Sequence, residues 1–299
     1  MKTRRNEDSK GKLKLGLPIG SLQKATLELM ALAGFRVWVP DRSYCARVDD
    51  DEIEARLVRP QDMSRFVEKG VLDAGITGLD WVKENGSDVR VVADLIYSKQ
   101  RRTPVCWVLA VPASSGITKP EQLQGKRIAT ELVNVTRAWL SSKRIRAEVE
   151  FSHGATEGKA PDIVDAIVDV SETGETLRAH GLVAIDTVLV SNTQLIANND
   201  SWADDWKRSK IEALRILIEG AIAARETVGL KMNVPKDKMD AVMARLPALR
   251  APTVATLAGD AGFAVEIVIG ENIARALIPE LKKAGAEGIV EYPLNKLIP

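Results

Sequence analysis

Asp169, Ser171, Glu172, Thr173, Gly174 and Thr176 put two acids, three hydroxyls and a glycine into one short segment that follows the apolar run Ala166-Ile167-Val168. The hydroxyls donate hydrogen bonds, Gly174 has no Cβ to hold the backbone away from an anion, and a helix starting near Thr176 aims the positive end of its dipole at the same spot. Phosphate or pyrophosphate is the natural guest of such a loop. The two carboxylates repel bare phosphate, but they accept hydrogen bonds from sugar hydroxyls or hold magnesium. The set as a whole points to a ribose that carries phosphates. The competing reading is an ordinary strand-to-helix turn whose hydroxyls cap the helix. A Walker motif is excluded because no Gly-Lys-Ser/Thr follows, and a dinucleotide fingerprint because only one glycine is present.

Other chemistries find little support. Cys45 and Cys106 are the only cysteines and His153 and His180 the only histidines, too few soft ligands for a zinc site held by protein alone or for a Cys/His catalytic pair. Cys106 lies in the apolar run Val105 to Leu109 and reads as a small core residue. His180 follows the loop closely enough to matter for its ligand, although a solvent-facing helix end is the simpler reading.

The chain of 299 residues is 45% hydrophobic, enough for a large core divided over two or three domains. Lys and Arg number 42 against 41 Asp and Glu, so no electrostatic drive toward nucleic acid or membrane is visible and small molecules are the expected partners. The polar segment Met1 to Lys12 reads as a tail and not as a secretory signal, and no run is long enough to span a bilayer; the expectation is a cytoplasmic protein.

The elements that must position the loop alternate between strand and helix. Leu13 to Pro18 reads as a strand, with Ser21 capping a helix from Leu22 to Ala33. A helix over Gln61 to Lys69 leads into a strand, Val71 to Gly78, that ends in small residues. This region echoes the phosphate loop: Asp73-Ala74 and Asp165-Ala166 both open apolar strands, and Leu13 to Leu17 is echoed by Lys126 to Thr130. Two similar α/β lobes produce such an echo. Val105 to Val111 is a buried strand, Val188 to Ala197 a returning one, and Ser201 to Ala224 a helical run. A chain that crosses to a second lobe and comes back leaves a ligand cleft between them. Beyond Val228 the order is strand (Val228 to Val234), helix (Lys236 to Leu246), strand (Thr253 to Leu257), strand (Phe263 to Ile269), helix (Glu271 to Ala284) and strand (Gly288 to Tyr292), a ferredoxin-like βαββαβ unit. The expected division is residues 1–104 with 195–224 as the first lobe, 105–194 as the second, and 225–299 as an appended regulatory domain.

The loop comes near the acid-rich, Thr-Gly-x-Thr-ended loop of phosphoribosyltransferases, with Val168 standing where the common version has a first acid. Several further blocks narrow the match: Leu15 to Gly20 with Ser21, Leu57 to Asp62 leading into Asp73 to Gly78, Arg127 to Thr130, Asp169 to Leu177, and Leu230 to Pro235 with Pro252-Thr253-Val254. In these the chain resembles the ATP phosphoribosyltransferases, the first enzymes of histidine biosynthesis, in their long form. The resemblance implies two periplasmic-binding-protein-like lobes and a ferredoxin-like regulatory domain. It also implies phosphoribosyl transfer from phosphoribosyl pyrophosphate to N1 of ATP with magnesium as cofactor, feedback inhibition by histidine, and homo-oligomers in which dimers build hexamers. Asp169 and Glu172 would face the ribose and its magnesium environment, while Ser171, Thr173, Gly174, Glu175, Thr176 and Leu177 would wrap the 5′-phosphate. Arg59, Asp73, Gly75, Thr77, Gly78 and Glu157 would serve the nucleotide, and Asn233 with Thr253 the histidine.

Each of these has a plainer reading. Arg59 could pair with Glu52 or Glu54, Asp73 could cap a turn, and Glu157 could be a solvated loop acid; Asn233 could cap the next helix and Thr253 could be a strand residue. Ile19 stands where the family commonly has lysine, with Lys24 or Arg101-Arg102 as substitutes. The rival functions are a two-lobed nucleotide-binding protein without chemistry and a catalytically weakened duplicate.

Overall fold

The computed structural model describes residues 11–40, 43–97, 104–171, 174–247 and 251–298. The chain forms two compact units, one of residues 1–31 with 35–215 and one of residues 32–34 with 216–299. The larger unit holds two sheets. The first contains β1 (Leu13–Pro18), β2 (Val37–Trp38), β3 (Cys45–Val48), β4 (Ile53–Val58), β5 (Ala74–Gly78), β6 (Arg90–Leu95) and the late strand β12 (Thr193–Ala197), in the order β2-β3-β4-β1-β5-β12-β6. The second contains β7 (Val105–Pro112), β8 (Arg127–Thr130), β9 (Glu148–Phe151), β10 (Ala166–Ser171) and β11 (Leu182–Ser191), in the order β11-β7-β10-β8-β9.

The two sheets repeat one plan. In the first, β1 lies parallel to β4 and β5, and β12 runs antiparallel to β5. In the second, β8 lies parallel to β9 and β10, and β7 runs antiparallel to β10. Each lobe therefore takes its antiparallel strand where the chain crosses to or from the other lobe, the topology of two-lobed binding proteins with a hinge between lobes. The stretch Val188 to Ala197, which reads as one returning strand, is two: β11 ends at Ser191 in the second lobe and β12 begins at Thr193 in the first. A crossing inside a continuous apolar run leaves no break in hydropathy to find.

The helices are α1 (Gln23–Ala33), α2 (Pro60–Glu68), α3 (Leu79–Asn85), α4 (Val133–Ser142), α5 (Glu175–Ala179), α6 (Asn199–Ala203), α7 (Asp205–Ala224), α8 (Met239–Met243) and α9 (Glu271–Lys283). The expected helical run from Ser201 is split at Asp204, whose extended backbone ends α6 and whose carboxylate accepts from the Lys207 amide to start α7. Residues Ile216 to Ala224 of α7 belong to the second unit. Parallel strands buried on both faces need apolar side chains at every position. Leu13, Leu15 and Leu17 of β1 meet that need at 0–1% exposure. Gly16 and Gly75, paired across β1 and β5, leave a shallow floor on which Met63 of α2 rests; a Cβ on Gly75 would stand 2.7 Å from its sulfur. That close approach fixes the start of α2.

The second unit carries β13 (Thr227–Val234), β14 (Thr253–Thr256), β15 (Phe263–Gly270) and β16 (Glu287–Pro293), antiparallel in the order β14-β15-β13-β16. With α8 and α9 interposed this is the ferredoxin-like arrangement. Leu230, Met232, Val234, Val265 and Ile267 alternate onto one face and pack with Ala274, Leu277 and Leu281 of α9. No helix among the described residues is long and apolar enough to cross a membrane.

Candidate active site

The C-terminal ends of the central parallel strands of both lobes open on one cleft of about 530 Å³, the position at which open α/β sheets receive ligands. The first lobe supplies the turn Ile19-Gly20-Ser21 after β1, Arg59 and Pro60 at the start of α2, and Gly78, Asp80 and Trp81 after β5. The second supplies Glu131 after β8, Asp169 and Val170 of β10, and Trp107. Smaller cavities continue it: one of about 490 Å³ involves Arg59, Glu84, Glu131 and His153, and one of about 250 Å³ involves Glu131, Glu157, Asp169, Thr176 and Leu177.

Glu131 borders all three cavities, and Asp169 borders the first and the last. The Asp169 carboxyl is the most strongly shifted of the cleft acids. Burial pushes its pKa up to about 6, and the carboxylates of Glu157 and Glu131 push in the same direction, against the pull of the Val170 amide that donates to it at 2.7 Å. Burial also raises Glu131, opposed by His153 and reinforced by Asp80, and it raises Asp80 against donors from Trp107 and Trp81. Four carboxylates thus gather in one cleft at the cost of mutual repulsion, an arrangement suited to sugar hydroxyls and to a cationic or metal-bearing substrate. Among the described residues no three acids, histidines or cysteines are placed to hold a metal by themselves.

Beyond Asp169 the loop turns through Gly174, whose φ of +71° favours glycine, into α5. Glu172 and Thr173 lie outside the described residues. Ser171 is half-buried, its Oγ 3.9 Å from where a Cβ on Gly174 would sit, and Arg178 brings a guanidinium nitrogen to 3.2 Å of the same point. Arg178 was not foreseen as part of the loop. The available signal was its spacing of four from Gly174, which one helical turn folds back over the loop. Leu177 is 4% exposed and packs into the second lobe's core with Val108 and Ile167, so its side chain anchors α5 while the residue borders the smallest of the three cavities. Thr176 and Glu175 are exposed at the helix start, and His180 closes the helix through Nδ1 and the Thr176 carbonyl at 2.9 Å.

The nucleotide set divides. Arg59, Gly78 and Glu157 stand on the cleft system. Arg59 does not pair with the acids considered for it: Glu54 holds Arg56 at 2.7 Å and Glu52 holds Lys210 at 2.6 Å. Asp73 must be corrected. It lies at the opposite end of β5, 4% exposed, accepting from the Lys14 amide at 2.8 Å, Ser201 Oγ at 2.7 Å and Lys207 Nζ at 2.7 Å. It ties β5 to β1, as Asp165 ties β10 to β8 by accepting from the Arg127 amide at 2.9 Å and from Lys126 at 3.1 Å. Gly75 and Thr77 also lie away from the cleft. Gly75 makes the floor for Met63, and the wholly buried Thr77 hydroxyl donates to the Pro60 carbonyl at 2.8 Å. They act on the site by fixing where Arg59 stands.

Ile19 lines the cleft and an adjoining apolar cavity of about 410 Å³ with Tyr44, Leu57 and Phe66. Of the two substitutes for the lysine, Lys24 is exposed outside the cleft lining, and Arg101-Arg102 lie outside the described residues. In the second unit Asn233 and Thr253 are both exposed on the sheet face opposite the helices, separated by β15, where Asn233 pairs with Ala264 and Thr253 with Glu266.

Residues 59–220 match the family model described as ATP phosphoribosyltransferase, and residues 224–296 match its C-terminal domain. An ATP phosphoribosyltransferase of Prosthecochloris aestuarii is 55% identical over 290 residues, covering 97% of this chain and 99% of that protein. One from Desulforudis audaxviator is 54% identical over 288 residues, covering 96% and 100%. Among solved structures, a chain of the ATP phosphoribosyl transferase (HisG:HisZ) complex from Thermotoga maritima is 28% identical with a TM-score of 0.59, covering 69% of this chain and 98% of that one. The chain belongs to the ATP phosphoribosyltransferase family, the pentosyl transferases that open histidine biosynthesis.

Proposed function

We propose that phosphoribosyl pyrophosphate sits with its ribose against Asp169 and its 5′-phosphate in the loop from Ser171 to Thr176, and that ATP enters from the first lobe past Arg59 and Gly78. The observation that carries this reading is that Asp169 and Thr176 border one cavity of the cleft system at a strand-to-helix turn in which Arg178 folds back over Gly174. Ser171, Thr173 and the amides opening α5 are donors for a phosphate dianion, with Arg178 as a charge partner. Asp169 and Glu172 accept from ribose hydroxyls, and ionised Asp169 faces the positive charge that grows at the anomeric carbon as the pyrophosphate oxygen departs. Adenine N1 attacks with its own lone pair, so no strong base is required. Holding both substrates in line contributes about 7–11 kcal/mol and each aimed charge about 3–4 kcal/mol. Magnesium enters on the pyrophosphate as part of that substrate.

Glu157 and Glu131 surround the ribose end, whereas Asp73, Gly75 and Thr77 support the nucleotide side from beneath. The C-terminal unit serves as the regulatory domain, with histidine bound at Asn233 and Thr253. The protein works in the cytoplasm as a homo-oligomer; the Thermotoga maritima relative also occurs in an assembly, there a HisG:HisZ complex. Purified protein incubated with ATP, phosphoribosyl pyrophosphate, magnesium and pyrophosphatase should yield phosphoribosyl-ATP by mass, and less when histidine is added. Absence of product from protein that still binds ATP would favour a weakened duplicate centred on Ile19.

A further inference from the structure

Helix α3 is built into the first lobe and holds the second at both of its ends. It is fixed to α2 by Asn85, whose Nδ2 donates to the Gln61 carbonyl and to Ser64 Oγ, each at 2.8 Å, and by Ser64 Oγ donating to the Trp81 carbonyl at 3.3 Å. At its N-terminal end it meets the point where the chain returns between lobes: the Leu79 amide donates to the Asn192 carbonyl at 2.9 Å and the Asp80 amide to Ser191 Oγ at 3.0 Å. Trp107 of β7 donates through Nε1 to the buried Asp80 carboxylate at 2.8 Å, and Trp81 meets Trp107 edge-on at 6.4 Å. One turn further on, Glu84 reaches the start of α4. Its two carboxylate oxygens accept from the amides of Asn134 and Val135, each at 3.0 Å, and its carbonyl accepts from Asn134 Nδ2 at 2.9 Å.

Asp80 and Glu84 stand four residues apart, hence on one face of the helix. A single attachment at the hinge leaves the lobes free to swing about it; a second attachment one turn away fixes the angle. The two ends are not equal. The Asp80 end is dry and shared among Trp107, Ser191 and Trp81, whereas Glu84 is half-buried and satisfies backbone amides that water can satisfy as well once the lobes part. We propose that α3 is a clasp that sets the angle between the lobes, with Asp80 and Trp107 as its pivot and Glu84 as its releasable end. Because Glu131 lies two residues before α4, the clasp holds Glu131 across the cleft from Arg59, and Glu84 is a positioning residue for the transfer reaction. This rests on the transferase reading of the same cleft.

The test compares full-length protein with Glu84→Ala and Glu84→Gln, using steady-state formation of phosphoribosyl-ATP and small-angle scattering with and without both substrates. A released clasp lowers the closed population before binding, so Glu84→Ala should raise KM for both substrates about 3- to 30-fold with kcat within about twofold. Its unliganded radius of gyration should increase and return to the parent value when both substrates are present. Glu84→Gln, which keeps an acceptor without the charge, should fall between. Unchanged scattering in Glu84→Ala overturns the proposal, even if its melting temperature falls, and so does a lower kcat at unchanged KM. Parent protein that makes no phosphoribosyl-ATP would sink the transferase reading, while the unliganded scattering comparison would still decide the clasp.

Discussion

At Asp169 the structure sets function against stability. Its folded pKa of about 6 lies above its ordinary value of 3.8, so the folded chain keeps a proton that the unfolded chain loses between about pH 4 and 6. Its contribution to stability therefore falls as pH rises through that window, and the penalty is fully present above about pH 6. Substrate binding needs the ionised form. The parent enzyme should accordingly lose kcat/KM as pH falls below about 6, read from a pH–rate profile. Asp169→Asn should melt no lower than the parent at pH 7.5 and lose about 10²-fold in kcat; a marked fall in melting temperature with activity retained would remove Asp169 from the site. This residue was legible because strand, acid, hydroxyls and glycine occur together in sequence. Asp73 is likewise an acid beside an apolar strand, but it opens β5, as Asp165 opens β10, whereas Asp169 lies toward the end of its strand. Five strand residues span about 17 Å, and open α/β sheets receive ligands at the C-terminal ends of their strands, the end that Asp169 occupies and Asp73 does not.

Elements were legible where period and punctuation agree. The strand after Lys12, the helix after Pro60 and the C-terminal βαββαβ order all emerge from apolar spacing. β4 has the period of a strand without clear punctuation: Ile53, Ala55 and Leu57 alternate with Glu54 and Arg56, which pair with each other at 2.7 Å on its half-buried face. The latches at the strand starts make a prediction at this scale. Asp73 is 5% exposed in its side chain and Lys207 33%, whereas Lys126 and Asp165 are each 37% exposed. Removing the buried partner strands a lysine, a serine hydroxyl and a backbone amide; removing the exposed one leaves water to replace it. Asp73→Ala should therefore cost about 2–4 kcal/mol in denaturant unfolding, and Asp165→Ala no more than about 1 kcal/mol. KM for both substrates should change by less than about twofold in each. A large KM effect from Asp73→Ala with little lost stability would restore it to the nucleotide site.

Over the whole molecule, the twofold echo in the sequence becomes a repeated sheet plan, and the acid-lined cleft lies where the two lobes face each other. The C-terminal unit is a separate problem in specificity. Its sheet hides one face under α9 and leaves the other open, with Asn233 and Thr253 two strand spacings apart and two residues out of register, roughly 12 Å. Histidine can reach across β15 only lengthwise, with its imidazole toward one of these residues and its carboxylate or amine toward the other. Inhibition then requires histidine to bind one state of the enzyme better than another, and by linkage the factor by which histidine weakens substrate binding equals the factor by which substrate weakens histidine binding. Asn233→Ala and Thr253→Ala should each raise the histidine concentration for half-inhibition by about 5-fold or more, measured against each variant's own uninhibited rate. If both variants remain inhibited at the parent's histidine concentration, the effector site lies elsewhere on the chain and the open sheet face has another occupant.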